Sequence, residues 1–140
     1  KDEHADRVID IATLTGAVVG MLGFSTAGLL SDDDAFCGAF LKAAQTSGER
    51  YWRLPIFEEQ KQMIESKIAD IKNMGRDYCG MITAGLVMQA FAQGRAWIHL
   101  DIAGSAWTDN PLYQGEPEGA TAAGTSSLYY LLAGGEETCF

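Results

Sequence analysis

The sequence lacks a long apolar run and a basic cluster. No apolar stretch among its 140 residues approaches the roughly 20 residues that cross a bilayer. The formal net charge of −9 leaves no broad basic face that would neutralise phosphates. We therefore expect a soluble protein that binds neither nucleic acid nor membranes.

Paired cysteines are lacking too. The three cysteines, Cys37, Cys79 and Cys139, leave one unpaired in any intramolecular scheme, and none stands in a Cys-x-x-Cys spacing. This count disfavours a disulfide framework and a structural zinc site, and it fits a reducing compartment in which free cysteine behaves as a small hydrophobe. The first residues, KDEHADR, do not show the charged-then-apolar pattern of a secretory signal. We expect a cytoplasmic location.

The rest of the composition is that of an ordinary globular domain, with 47% apolar and 21% charged residues, and one domain spanning 1–140 is expected. Apolar and β-branched residues predict strands at 7–12, 27–30 and 96–103. The spacing of apolar residues predicts a short helix after Gly16 and longer helices at 35–48, 57–68, 83–93 and 121–133. A long polar loop is predicted over 105–120. Alternating strands and helices indicate the α/β class.

The acidic run from Ser31 to Asp34 has two interpretations. Its carboxylates, Asp32 to Asp34, resemble a metal site. However, Ser and Asp side chains also cap helix N-termini and complement the helix dipole, and a predicted helix follows directly. We favour the capping interpretation.

His99 and Asp101 stand two positions apart in the apolar run IHLDIAGSAW. On a strand they share one face with Cα atoms about 7 Å apart, which suits two ligands of one metal. Two ligands do not make a site, and His4 is the only other histidine. We favour a structural role in which Asp101 accepts backbone N–H groups at the end of the strand.

Nucleophilic catalysis and anion binding have weaker signals. Ser105 follows a glycine, but its surroundings do not form the Gly-x-Ser-x-Gly elbow. A cysteine nucleophile beside His99 stays open, although no spacing selects Cys37 or Cys79 over a core thiol. The stretch from 13 to 17 follows a strand and opens a helix, so its N–H groups offer a weak site for an anion or a carboxylate.

Five segments carry a resemblance that covers most of the chain. In order they read VIDIATLTGA from 8 to 17, GERYWRLP from 48 to 55, IADIKN from 68 to 73, GMITA from 80 to 84 and WIHLDIAG from 97 to 104. Together they resemble the leucyl aminopeptidase family, cytosolic two-metal enzymes that remove N-terminal residues from peptides. The first and last segments are the most specific.

The resemblance implies which residues bind substrate. In the family, the Thr-Leu-Thr-Gly loop borders the active site, and its main chain holds the peptide and a carbonate-like anion; the matching positions are Thr13, Leu14 and Gly16. The pocket for the first side chain of the substrate is lined by residues matching Met74 and Ala103, and more loosely Ala106. Such a pocket favours apolar, leucine-like side chains with a selectivity of only a few kcal/mol.

The metal ligands and catalytic groups of the family lie upstream of these segments. They include a Lys, two Asp, a second Lys and an Asn-Thr-Asp-Ala-Glu-Gly-Arg segment that does not occur here. The resemblance thus implies the C-terminal part of a catalytic domain, with no metal ligand or catalytic residue of its own. The complete enzyme would hold two divalent ions, Zn²⁺ or Mn²⁺, and assemble as a homohexamer.

The implied fold is part of a mixed-sheet, helix-flanked zinc-peptidase domain of the phosphorylase/hydrolase-like type. The implied function is that of a metal-dependent aminopeptidase for which this chain supplies the substrate-binding wall, and the chain by itself is expected to be inactive. The alternative is an inactive truncated paralogue that binds peptides or packs against full-length subunits. Within GATAAGTSSL, Ala122 and Ser126 replace a Gly and an Arg of the family pattern, so the resemblance leaves open how the last helix is anchored.

Overall fold

A four-stranded mixed sheet forms the centre of the fold. The computed structural model describes residues 4–111 and 118–134. The strand order is β1 (Arg7–Ala12), β4 (Ala96–Asp101), β2 (Ala27–Ser31) and β3 (Tyr51–Arg53). β1 is parallel to β4 and β2 is parallel to β3, whereas β4 and β2 are antiparallel. This mixed sheet with flanking helices confirms the predicted fold class.

Helices cover both faces of the sheet. They are α1 (Gly16–Leu22), α2 (Asp34–Ser47), α3 (Glu58–Met63), α4 (Gly80–Ala92) and α5 (Thr125–Leu132). One buried layer, with α2 and α5, includes Leu29, and the other, with α1 and α4, includes Leu30. Because successive strand residues point to opposite faces, these neighbours of β2 serve different layers. The fold therefore has one apolar core on each side of the sheet.

The acidic run before α2 makes structural bonds. Asp33 caps the helix, since its side chain accepts the N–H of Phe36 at 2.7 Å. Asp34 pairs with Arg53 at 2.6 Å, and Asp32 accepts the backbone N–H of Trp97 at 2.9 Å. The capping interpretation is confirmed, and the other two carboxylates tie the start of α2 to β3 and β4.

The third helix is shorter than the sequence predicts. The prediction covered 57–68, but α3 spans only Glu58–Met63 and buries none of its residues. Short helices are only marginally stable without tertiary packing, because starting a helix is costly and each added residue contributes little more than one hydrogen bond. In the second half of the predicted helix Ile64 is buried but Ile68 is 98% exposed, so the apolar face has too little packing to extend the helix.

The last helix begins later than predicted. The prediction placed it at 121–133, whereas α5 begins at Thr125. Ahead of it, β6 (Gly119–Ala120) pairs with β5 (Trp107–Thr108), so the predicted polar loop at 105–120 contains a short antiparallel pair. The middle of that loop, 112–117, lies outside the described residues.

Glu49 anchors the start of α5. Its carboxylate accepts the N–H of Gly124 at 2.8 Å, the N–H of Ser127 at 2.9 Å and the buried Ser127 hydroxyl. Ser126, which stands where the family pattern has an arginine, is exposed. The anchoring of the last helix, which the sequence left open, is therefore supplied by a carboxylate from a distant part of the chain that accepts N–H groups at its first turn.

Ala122 is a strained position that a glycine should relieve. It has a φ of 56°, in the left-handed region that costs an alanine about 1–2 kcal/mol. We expect Ala122→Gly to raise the free energy of unfolding by about 0.5–1 kcal/mol, since the relieved strain exceeds the added chain entropy of glycine. Urea denaturation measures this. The neighbouring Ala123→Gly, where φ is not positive, should instead destabilise the fold, and equal shifts of both midpoints in one direction would contradict the explanation.

Candidate functional site

Two loops meet at one edge of the sheet. The first loop (residues 13–16) follows β1, and the second loop (residues 102–106) follows β4. Because β1 and β4 are parallel, both loops leave from the same edge, and the N–H of Ile102 donates to the carbonyl of Ala12 at 2.9 Å. In open α/β sheets the carboxyl ends of the strands are the usual ligand-binding edge. The two loops therefore define the candidate substrate site.

Asp101 joins the two loops. Its side chain is fully buried, and Oδ1 accepts the N–H of Leu14 at 3.1 Å, of Thr15 at 3.4 Å and of Ala103 at 3.2 Å. Its Oδ2 accepts the Thr15 hydroxyl at 2.6 Å. The structural role predicted for Asp101 is confirmed: it accepts backbone N–H groups at the end of a strand.

The hydrogen bonds of the first loop bear on the anion hypothesis. The N–H groups of Leu14 and Thr15 are bonded to Asp101, and the Thr15 side chain accepts the N–H of Val18 at 3.1 Å to cap α1. The loop does hold a carboxylate, as its spacing suggested, but the carboxylate belongs to the protein. These N–H groups are therefore not free for an external anion.

The predicted substrate residues of the first loop are accessible. Thr13 and Gly16 are exposed, and the side chain of Leu14 is 36% exposed. A Cβ added at Gly16 would meet no other atom within 4 Å. The loop thus presents open space at the sheet edge, while Asp101 holds its backbone from beneath.

The predicted residues of the second loop lie close to the first. Ala103 is half-buried and packs against the core layer under α1 and α4. Ala106 is also half-buried, and its N–H donates to the carbonyl of Ile102 at 2.9 Å, which closes a tight turn. Between them, Gly104 lies against the backbone of Gly23, just after α1. The second loop is therefore packed against the C-terminal end of α1.

Met74 lies outside the two loops, in the segment between α3 and α4. Its side chain is 74% exposed, and the adjacent Gly75 packs against Thr83 of α4. The start of α4 reaches α1 where Gly80 faces the side chain of Ala17. The structure therefore places five of the six predicted substrate residues on the two loops at one edge, and Met74 in the segment that precedes α4.

His99 is bonded to Asp10 of the neighbouring strand. The ring nitrogen Nδ1 lies 2.5 Å from Oδ1 of Asp10, while Oδ2 of Asp10 accepts the indole N–H of Trp97 at 2.6 Å. The ring of His99 is fully buried and stacks on Trp97 with an interplanar angle of 8°. This histidine forms a buried polar network with Asp10 and Trp97 beneath the site and has no access to substrate.

The alternatives of a nucleophile or a metal centre find no support in the geometry of residues 4–111 and 118–134. No hydroxyl or thiol in these ranges is bonded to His99, and burial raises the pKa of the Cys37 thiol, which suits a core residue. Within the same ranges, no three His, Cys, Asp or Glu side chains are grouped so that they could share a metal ion. The described residues thus do not offer a ligand set for the divalent ions that the resemblance implies.

Three residues of structural importance were not identified from the sequence. Asp10 carried a signal, since it interrupts the apolar strand RVIDIA, as Asp101 interrupts IHLDIA. Thr15 and Glu49 carried no such signal, because Thr and Glu are common in loops. The partner of Thr15 lies 86 residues away along the chain, and the partners of Glu49 lie 75–78 residues away. Only the folded chain shows that each satisfies buried donors or acceptors.

The described residues form a mixed-sheet α/β fold with a candidate binding edge at the carboxyl ends of β1 and β4. Residues 1–129 match the family model described as the cytosol aminopeptidase family, catalytic domain. The chain belongs to this family. No helix in the described ranges has the length and apolar character needed to cross a membrane.

Relatives and solved structures agree with this placement. The chain is 44% identical to a probable cytosol aminopeptidase of Clostridium perfringens over 131 residues, which are 92% of this chain. It is 45% identical to the cytosol aminopeptidase of Pseudomonas aeruginosa over 126 residues, which are 89% of this chain. A mutant of tomato leucine aminopeptidase superposes on this chain with a TM-score of 0.84 and is 36% identical to it. The bottromycin maturation enzyme BotP in complex with Mn superposes with a TM-score of 0.85 and is 37% identical. Each comparison covers 94% of this chain. The chain spans 26% and 25% of the two curated relatives and 25% and 29% of the two structures.

Proposed function

We propose that this chain supplies the substrate-binding wall of a metal-dependent aminopeptidase that releases apolar, leucine-like N-terminal residues from peptides. The observation that carries the proposal is the joining of the first and second loops by Asp101 at one sheet edge. Family membership adds the reaction class, because the relatives are named cytosol aminopeptidases. By the same relatives we assign the protein to the cytoplasm.

The substrate lies, in this proposal, across the first loop, with its main chain against Thr13, Leu14 and Gly16. Its first side chain enters the space beside Ala103 and Ala106, with Met74 as an outer contact. The small side chains of the second loop leave room for a leucine-sized group, and apolar contacts of this kind discriminate by only about 10–200-fold.

Two divalent ions, Zn²⁺ or Mn²⁺, would activate a water molecule and polarise the scissile carbonyl. The described residues do not offer their ligands, so we assign the ligands to the part of the family domain that this chain does not match. The residues of this chain then bind and orient the peptide rather than transfer protons. A homohexameric assembly, as the resemblance implies, belongs to the same proposal.

The proposal is tested with a hybrid enzyme. This chain replaces the matching segment of the Pseudomonas aeruginosa cytosol aminopeptidase, and hydrolysis of leucine p-nitroanilide is followed with added Mn²⁺ or Zn²⁺. We expect the hybrid to be active, to lose turnover in EDTA and to regain it when the metal is restored, whereas the 140-residue chain by itself shows no turnover.

Two results would count against the proposal. Metal-dependent turnover by the chain itself would mean that it holds its own metal ligands. A folded hybrid without activity would favour the alternative, a peptide-binding or packing module, and circular dichroism of the hybrid is the control for folding. Turnover that survives EDTA would point instead to a serine or cysteine hydrolase.

A further inference from the structure

The carboxylate of Asp101 is bonded only to donors, and these come from two separate loops. Oδ1 accepts N–H groups from Leu14 and Thr15 of the first loop and from Ala103 of the second, and Oδ2 accepts the Thr15 hydroxyl. One oxygen atom therefore fixes the distance between the backbones of the two loops.

The support beneath this carboxylate is rigid. Asp101 ends β4, an inner strand that pairs with Ala12 of β1 on one side and with Gly28 of β2 on the other. Its side chain is fully buried, so water does not compete for its lone pairs. The first loop is largely exposed and the second is half-buried, but the oxygen atom that sets the distance between them belongs to an inner strand of the sheet.

We propose that Asp101 is a positioning residue that sets the distance between the loop that holds the main chain of the substrate and the loop that lines the pocket for its first side chain. This inference rests on the proposed function, in which Leu14 and Ala103 contact the substrate from opposite loops. Bonds from one oxygen to the N–H groups of both residues make the distance between the main-chain contact and the pocket depend on that oxygen. A change at Asp101 should therefore alter which side chains are preferred as well as how fast peptides are cleaved.

Glu49 provides a matched control. It is also a carboxylate that accepts two backbone N–H groups and a serine hydroxyl, but it does so at the start of α5, with Gly124 and Ser127. Glu49→Gln and Asp101→Asn thus each replace one acceptor oxygen of a carboxylate by an NH2 donor, at two places in the same fold. Only Asp101→Asn changes a residue that is bonded to the loops of the candidate site.

The test compares these variants in the hybrid enzyme with leucine and alanine p-nitroanilides. For Asp101→Asn we expect kcat/KM for the leucine substrate to fall about tenfold, mainly through KM, and the leucine-to-alanine preference to fall about fivefold. For Glu49→Gln we expect the leucine-to-alanine preference to stay within about twofold of that of the parent hybrid, even if the substitution lowers thermal stability.

Thr15 supplies a second pair of variants in case Asp101→Asn does not fold. Thr15→Ser keeps the hydroxyl that Asp101 accepts and should keep the leucine-to-alanine preference, whereas Thr15→Val removes the hydroxyl and should lower the preference. An unchanged preference in both Asp101→Asn and Thr15→Val, or an equal change in Glu49→Gln, would overturn the positioning role. A folded but inactive parent hybrid would instead overturn the proposed function on which this role depends.

Discussion

Gly104→Ala is expected to destabilise the protein by about 3 kcal/mol or more. The new Cβ would overlap the carbonyl oxygen of Gly23 and lie 3.2 Å from its carbonyl carbon. Overpacked side chains can often rotate away, but here both partners are backbone, so the second loop or the end of α1 must move. In urea denaturation the midpoint should fall well below that of the parent chain.

Gly38→Ala is the control for this substitution. Gly38 is exposed on α2, and a Cβ there would meet nothing within 4 Å. Because alanine is a better helix former than glycine, we expect a gain of about 0.5–1 kcal/mol. If Gly104→Ala unfolded at the same urea concentration as Gly38→Ala, the close packing of the second loop against Gly23 would be refuted.

Gly16→Ala should have the opposite profile, with an intact fold and a large loss of activity. A Cβ at Gly16 meets open space, and Gly16 is the first residue of α1, so the substitution should not lower stability. In the proposed complex that space belongs to the main chain of the peptide. Displacing the peptide by about 1 Å should lower kcat/KM of the hybrid enzyme by about 100-fold.

Gly20→Ala separates the loss of substrate contact from a general effect on α1. Gly20 is exposed in the same helix, and a Cβ there also meets nothing within 4 Å. Its kcat/KM should stay within about twofold of the parent hybrid. Equal activity of the Gly16 and Gly20 variants would show that peptides do not lie against the first loop.

Local patterns predicted most of the elements that build the site. Alternation and β-branched residues located β1 and β4 within two residues of their ends, and Gly48, with a φ of 79°, ends α2 as its position suggested. These elements depend on contacts between residues close in sequence or on a periodic apolar face. Both features can be recognised from the sequence. The α3 and α5 boundaries were wrong because packing, rather than propensity, decides where short helices begin and end.

The candidate site was less predictable than the elements that carry it. The resemblance supplied Thr13, Leu14, Gly16, Ala103 and Ala106 as residues without a geometry, and their role in binding substrate stays a prediction. That Asp101 accepts bonds at a strand end followed from its residue type and place, whereas its particular partners did not. A carboxylate in an apolar strand must find donors, but the sequence does not say which.

The sequence by itself determined the α/β class, the order of three of the strands (β1, β2 and β4) and the five helices, and the family to which the chain belongs. It did so because periodicity and short motifs are properties of neighbouring residues. The tertiary structure alone decided that Asp101 holds Leu14 from 87 positions away, that Glu49 anchors α5 and that His99 bonds to Asp10 instead of to Asp101. These pairings depend on strand order and register, which bring distant polar groups together where water is excluded and each must find a partner.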